Sequence, residues 1–146
     1  MTNWRYVKPL EDKNQLVETE RTFGSYFGSA YVLAVIENNG GRPPVDSYNT
    51  NLTKERTIKS LLSYNKDDFG NIYKAIQIVD KIRDDVFPFA TDDFGNYICF
   101  RKKDSSIVFL DFETGELEKI TDSFQDFLEI IAPKEHEEDI SAEVSY

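Results

Sequence analysis

The sequence is poor in the side chains that many enzyme and metal sites need, with one cysteine, Cys99, and one histidine, His136, among its 146 residues. A single cysteine excludes an internal disulfide and fits a reducing compartment. A nucleophile–histidine pair would have to use His136, which lies in a polar, acidic C-terminal segment. Clusters of histidine and cysteine ligands are excluded by count. Cys99 lies between Ile98 and Phe100, a position typical of a small buried side chain.

Long apolar runs are also missing. No stretch approaches the roughly 18 residues of a membrane span, and residues 1–14 lack the continuous apolar core of a signal peptide. The hydrophobic share of 40% and the aromatic share of 14% are enough to form the core of one folded domain. We therefore predict a soluble, cytoplasmic protein with a single domain over residues 1–133 and an acidic, flexible tail over residues 134–146.

Positive charge is scarce, and the formal net charge is −10. Residues 122–146 hold eight acidic side chains and one lysine, so this segment alone carries −7. Such a field repels phosphate backbones and argues against direct binding of nucleic acid. Two interpretations of the negative charge stay open, because it keeps a protein soluble and also accelerates encounter with a basic protein partner.

The first half of the chain carries two helical patterns. Asp12 followed by Gln15 resembles a capping box and predicts a helix that ends at Gly24. A second helix is predicted from Ser29 to the Asn-Asn-Gly-Gly turn at residues 38–41, which favours a left-handed C-terminus. The candidate buried residues of the second helix are Val32, Leu33, Val35 and Ile36.

Two further helices are predicted in the second half. After the pentapeptide DDFGN at residues 67–71, apolar residues recur at helical spacing, with Asp68 or Asn71 available as the cap. Near the C-terminus, Asp122 and Gln125 repeat the capping-box pattern. The apolar face of this last helix consists of Phe124, Phe127, Leu128 and Ile131.

Residues 87–110 predict three strands, because aromatic and β-branched runs alternate with two polar turns. The first turn is a second DDFGN, at residues 92–96, whose glycine and asparagine tolerate a positive φ. Residues 113–116 predict another hairpin turn, and residues 45–48 and 58–64 contain short β-like pieces. The predicted fold class is therefore α+β, an antiparallel meandering sheet with helices packed on one side, an N-terminal helix pair and a closing C-terminal helix.

Paired acids are the remaining candidates for chemistry. They occur at Asp67-Asp68, Asp84-Asp85 and Asp92-Asp93, and such pairs could form a hydrolase site or hold a hard cation. Turn chemistry explains the first and third pairs, and solvation explains the second. Glycine-rich phosphate motifs are absent. We therefore predict no catalytic residue, no metal site and no cofactor.

Three segments of the chain resemble the SUKH superfamily of Smi/Knr-type domains. They are the second helix with its turn (residues 31–41), the phrase PFATDDFGNYICF with the strand after it (residues 88–115), and ITDSFQDFLEII (residues 120–131). The resemblance spans roughly residues 12–132. Two positions depart from the family pattern: Phe27-Gly28 replaces a Leu-Pro before the second helix, and the basic run Arg101, Lys102 and Lys103 follows a strand where an acidic residue is common.

The resemblance implies a binding protein rather than an enzyme. Many bacterial members are immunity proteins, which bind a cognate toxin and block it, and the toxin is often a nuclease. An acidic inhibitor suits a basic nuclease cleft. The alternative is an interaction module or regulatory adaptor of the same fold that binds a cellular protein other than a toxin.

The family pattern supplies no residue list for partner contact, so candidates come from residue type and position. Acidic and aromatic side chains on loops or at sheet ends suit a basic partner, and aromatic residues often dominate binding energy. The candidates for partner contact are Tyr48, Asp67, Asp68, Asp92, Asp93, Phe94 and Tyr97.

The net negative charge leads to a prediction about the rate of association. We expect association with a basic partner to slow markedly as the salt concentration rises from about 50 to 500 mM, because the Debye length falls from roughly 14 to 4 Å. Stopped-flow association rates measured across this range check the expectation. A rate that does not change with salt would indicate an apolar interface without electrostatic steering.

Overall fold

A computed structural model of the chain describes residues 4–23 and 28–131. The proposed tail at residues 134–146, which includes His136, lies outside the described residues, as do Gly24 and Phe27. Four helices are present in the described part: α1 (Lys13–Phe23), α2 (Gly28–Asn38), α3 (Ile72–Asp80) and α4 (Phe124–Ile131). The strands are β1 (Ser47–Tyr48), β2 (Arg56–Thr57), β3 (Ser60–Leu61), β4 (Val86–Thr91), β5 (Tyr97–Arg101), β6 (Ile107–Leu110) and β7 (Leu117–Thr121).

Five of these strands form one antiparallel sheet in the order β3-β4-β5-β6-β7, so each strand pairs with its neighbours in sequence. β1 and β2 form a separate two-stranded ribbon. The helix pair α1 and α2 precedes the sheet, and α4 follows it and packs against α2. This arrangement confirms the predicted α+β class, with its N-terminal helix pair, meandering sheet and closing helix.

The helix ends agree with the sequence pattern except at one cap. Asn71 caps α3, since its Oδ1 accepts a hydrogen bond of 3.0 Å from the Lys74 amide. Gly40 has a φ of +69° just after α2, as predicted for a left-handed stop. The prediction of Asp122 as the cap of α4 is wrong. Ser123 fills that role, because its Oγ accepts the Asp126 amide at 3.1 Å.

The buried face of α2 differs from the predicted one. Leu33 and Ile36 were expected in the core, but they are 54% and 43% exposed. Tyr31 is fully buried instead, on the helix face that also carries Val35. The helix is apolar almost all round, so its periodicity does not indicate which side faces the sheet.

An aromatic cluster forms the centre of the core. Phe89 lies in the middle of it, with its ring centroid 4.9 Å from Phe100, 5.3 Å from Phe124, and 5.8 Å from both Tyr31 and Phe127. These residues come from α2, β4, β5 and α4, so the cluster joins the sheet to two helices. Edge-to-face ring pairs add to the stabilisation from burial alone.

A smaller apolar cluster includes the end of α3. Val79 packs there with strand residues Val86, Cys99, Val108 and Leu110. Successive side chains of a strand point to opposite faces, so Cys99 faces away from the aromatic cluster that Phe100 joins. Cys99 is a fully buried free thiol, as its apolar neighbours predicted. Within the described residues, we find no helix with the length and apolar character needed to cross a membrane.

The two environments of phenylalanine in this fold give a stability prediction. Phe89→Ala removes a ring from the centre of the core and should lower the free energy of unfolding by about 3–5 kcal/mol. Phe94→Ala is the matched control, because this ring is 78% exposed, and it should change the free energy by no more than about 0.5 kcal/mol. Urea unfolding followed by circular dichroism measures both. Equal losses in the two variants would contradict the described core.

Candidate protein-binding site

The two DDFGN pentapeptides, which are 25 positions apart in the sequence, lie on one groove in the fold. We refer to residues 67–71 as the first loop, to residues 92–96 as the second loop, and to the space between them as the two-loop groove. Its volume is about 340 Å³. The loops contribute Asp68, Phe69 and Gly70 on one side and Asp92, Asp93 and Gly95 on the other. Strand β3 and the start of the chain complete the walls.

Below the first loop lies a network of polar side chains. Asp68 Oδ2 accepts hydrogen bonds from Ser63 Oγ at 2.5 Å and from Asn65 Nδ2 at 3.2 Å. Asn39 Nδ2 donates to Ser63 Oγ at 3.0 Å, and Asn39 Oδ1 accepts the Tyr64 amide at 2.9 Å. Asn39, Ser63 and Asn65 are all buried. We call Asn39, Ser63, Asn65 and Asp68 the polar network.

The polar network also holds the N-terminal arm, residues 4–11. Asn39 Nδ2 donates to the Lys8 carbonyl at 2.8 Å, and Asn65 Nδ2 donates to the Pro9 carbonyl at 2.9 Å. The arm forms an isolated antiparallel bridge between Arg5 and Arg42. The bridge needs a glycine at Gly41, because a Cβ there would lie 2.9 Å from a backbone oxygen of the preceding turn.

The first loop exposes its phenylalanine. Asn71 fixes the loop from within, since its Nδ2 donates to the carbonyls of Asp68 at 3.0 Å and of Lys66 at 3.3 Å. Phe69 is 99% exposed, so its ring contributes almost nothing to the core. Asp67 is also exposed and makes no hydrogen bond or ion pair within the described part of the chain.

The second loop uses its first aspartate internally. Asp92 is only 4% exposed, and its Oδ1 accepts the amides of Phe94 at 2.8 Å and Asn96 at 2.7 Å. Its Oδ2 accepts the Asn96 side-chain amide at 2.9 Å. Gly95 adopts a φ of +87°, which closes the turn. Asn96 Oδ1 accepts the Phe112 amide at 2.9 Å and so ties the loop to the strand connection beside it.

The second aspartate and the phenylalanine of this loop face outward. Phe94 is exposed, and the Asp93 carboxylate lies 3.6 Å from the Arg42 guanidinium, a distance typical of a weak surface pair. The Asp93 amide donates to Thr57 Oγ1 at 3.1 Å. Each loop therefore uses one aspartate and its asparagine to hold its shape and presents the other aspartate with the phenylalanine to solvent.

The β1–β2 ribbon supports the second loop and is itself held by Glu118. Arg56 donates to Glu118 at 2.6 Å, and Thr50 also hydrogen-bonds to that carboxylate. Burial alone would raise the pKa of Glu118, but the hydrogen bonds from Thr50 and Arg56 outweigh it and lower the pKa below its usual value. The ribbon then places Thr57 against Asp93.

Two of the seven sequence candidates lie outside the two loops, and only Asp68, Asp92 and Asp93 line the groove itself. Tyr48 is buried in the core with its ring 5.8 Å from that of Phe127, so it cannot touch a partner without a change of fold. Burial also raises the pKa of its phenol. Tyr97 is half-buried, and its ring centroid lies 6.5 Å from that of Phe112. The structure brings the other five, Asp67, Asp68, Asp92, Asp93 and Phe94, to the two loops.

Residues that the sequence pattern did not select also form the groove. Phe69 and Lys59 belong to it, and so does Lys8 from the N-terminal arm. The repeated pentapeptide was the signal that could have identified Phe69, because its counterpart Phe94 was selected. No local pattern predicts the two lysines, which reach the groove only through the tertiary fold.

The described residues contain neither a metal-ligand cluster nor an activated thiol. Among residues 4–23 and 28–131, no three His, Cys, Asp or Glu side chains are grouped so as to hold a metal ion. Burial raises the pKa of the Cys99 thiol, with a smaller contribution from the charge of Asp85, so Cys99 is not a thiolate nucleophile. In the basic run, the Arg101 guanidinium pairs with Asp104 at 2.9 Å, which offsets part of that positive charge.

The neighbouring aspartates of the second loop give a matched test. Asp92→Ala leaves the Phe94 and Asn96 amides without their acceptor and should lower the free energy of unfolding by about 1–3 kcal/mol. Asp93→Ala removes only a weak surface pair and should cost less than about 1 kcal/mol. Urea unfolding at pH 7 measures the difference. A larger loss for Asp93→Ala would contradict the division of roles within the loop.

Comparison with known protein families identifies the family of the chain. A family model described as SMI1-KNR4 cell-wall (SUKH_6) matches residues 13–128, a range that begins with α1, ends within α4 and includes both loops. Comparisons with curated proteins and with solved structures found no match. SUKH domains are commonly immunity proteins and are generally non-catalytic. The family match confirms the resemblance seen in the sequence, and the chain belongs to the SUKH (SMI1-KNR4) family.

Proposed function

We propose that this chain is an immunity protein that binds a cognate bacterial toxin and neutralises it stoichiometrically, without turnover. Family membership supports the class of function, because SUKH domains are commonly immunity proteins. Both the inhibitor and the toxin that it blocks would act in the cytoplasm of the producing cell or its kin.

The observation that carries the proposal is a pair of exposed phenylalanines, one on each of the two loops that flank the groove. Phe69 is 99% exposed and Phe94 is 78% exposed, and each lies on a loop whose shape is fixed by other residues. Large apolar side chains that are held out in water mark interaction sites when they occur together. Aromatic residues are also among those that most often dominate binding energy at interfaces.

The charge supports a nuclease as the target. Nuclease clefts are basic because they hold phosphates, and a protein with a net charge of −10 complements them. Complementary charge accelerates encounter and disfavours acidic competitors. The runner-up function, an adaptor for a cellular protein other than a toxin, shares the fold and is separated from the first by the test below.

Co-expression tests the proposed function. The gene immediately upstream of the gene for this chain should encode a long protein with a toxic C-terminal domain. This domain is the probe in the experiment. Cells that express the domain alone should stop growing, and cells that also express this chain should grow. Isothermal titration of the purified proteins should give a fixed stoichiometry. A domain that remains toxic beside folded chain and does not bind it would overturn the proposal for that pair and favour the adaptor.

A further inference from the structure

We propose that the two loops, together with the groove between them, form the surface that contacts the toxin, with Phe69 and Phe94 as its two apolar anchors and Asp67 and Asp93 as the carboxylates that pair with basic side chains of the toxin. This inference rests on the proposed function and adds the surface and the chemistry of the contact.

Neither loop needs its phenylalanine for its own shape. In the first loop, Asn71 and Asp68 make the hydrogen bonds that define the turn. In the second loop, Asp92 and Asn96 do so. Turn positions favour Gly, Asn, Asp, Ser and Pro, and an exposed phenylalanine loses the free energy that burial would give it. Exposed rings on both loops that flank the groove are explained by burial against a partner.

The loops are fixed before any partner arrives. The polar network holds the first loop through Asp68, and the Asp92 carboxylate closes the second loop with three hydrogen bonds. A preformed loop loses little conformational entropy on binding, so more of the contact energy appears as affinity. A groove of about 340 Å³, which Phe69 lines, has room for a side chain of the partner.

The outward carboxylates determine the sign of the charge that we expect on the partner. Asp67 has no partner within the described residues, and Asp93 has only the 3.6 Å contact with Arg42. They lie on different loops, each within two residues of an exposed ring. Lys8 and Lys59 on the groove wall oppose a cation. We therefore place basic groups of the toxin at the two loops, where they meet Asp67 and Asp93, and not beside the two lysines.

Paired substitutions in the full chain test the surface, with the toxic domain of the upstream gene as the probe. Phe69→Ala and Phe94→Ala should each weaken binding about 30-fold, the expected loss for an interface hot spot. The double variant should fail to rescue growth. Leu33→Ala and Leu52→Ala are matched controls, because both side chains are exposed and lie outside the groove, and they should bind within about 3-fold of the unsubstituted chain. Circular dichroism and urea unfolding should show that every variant is folded.

Charge variants test the chemistry of the partner. Asp67→Asn with Asp93→Asn should slow association about 10-fold at low salt and less at high salt. Lys59→Gln should leave binding unchanged or tighten it. A 10-fold loss in Lys59→Gln, with no effect of the aspartate variants, would show that an acidic partner occupies the groove and would overturn the proposed chemistry.

The outcomes separate this inference from the proposed function. If the unsubstituted chain binds the toxic domain and the double phenylalanine variant binds it equally well, the surface is wrong and the function stands. If the unsubstituted chain does not bind, the function fails for that pair, and the surface fails with it. Analytical ultracentrifugation of the free chain tests whether a second copy of the chain occupies the groove. A dimer that the double variant abolishes would assign the groove to a second copy and overturn the inference.

Discussion

The groove depends on the polar network of Asn39, Ser63, Asn65 and Asp68. These four side chains join the end of α2, the segment after β3, the N-terminal arm and the first loop through hydrogen bonds of 2.5–3.2 Å. Three of them are buried, so loss of one partner would leave the others without water to replace it. The apolar core fixes the sheet, and the polar network fixes the chain segments that pass over its β3 edge.

The two copies of DDFGN show how tertiary context decides the role of a short sequence. Asn71 caps α3, because an apolar pattern of helical period follows it. Asn96 holds a β-hairpin, because strand β5 follows it. The structural aspartate is the second residue of the first loop and the first residue of the second loop. Both copies nevertheless expose the phenylalanine, which is the one feature of the repeat that local structure does not explain.

Most of the fold could be predicted because each element has a recognisable local pattern of apolar and polar residues. The apolar face of α4 and the alternation of strands with turns set the class and the order. The predictions for Leu33 and Ile36 fail because α2 is almost wholly apolar, so its sequence does not indicate which side faces the core. The groove could be predicted only in part. Asp92 and Asp93 could be selected as turn residues, but Lys8 and Lys59 join them at the groove only after the chain has folded.

In this protein, side chains that hold the fold are close in sequence to side chains that face solvent. Asp92 accepts three hydrogen bonds within its loop, whereas Asp93, the next residue, faces solvent with one weak pair. Phe89 lies at the centre of the aromatic core, and Phe94, five residues later, is exposed. A surface arranged in this way can change its outward residues without cost to the fold. The proposed immunity function would need this separation, because partner specificity must vary with the toxin while the scaffold beneath it remains stable.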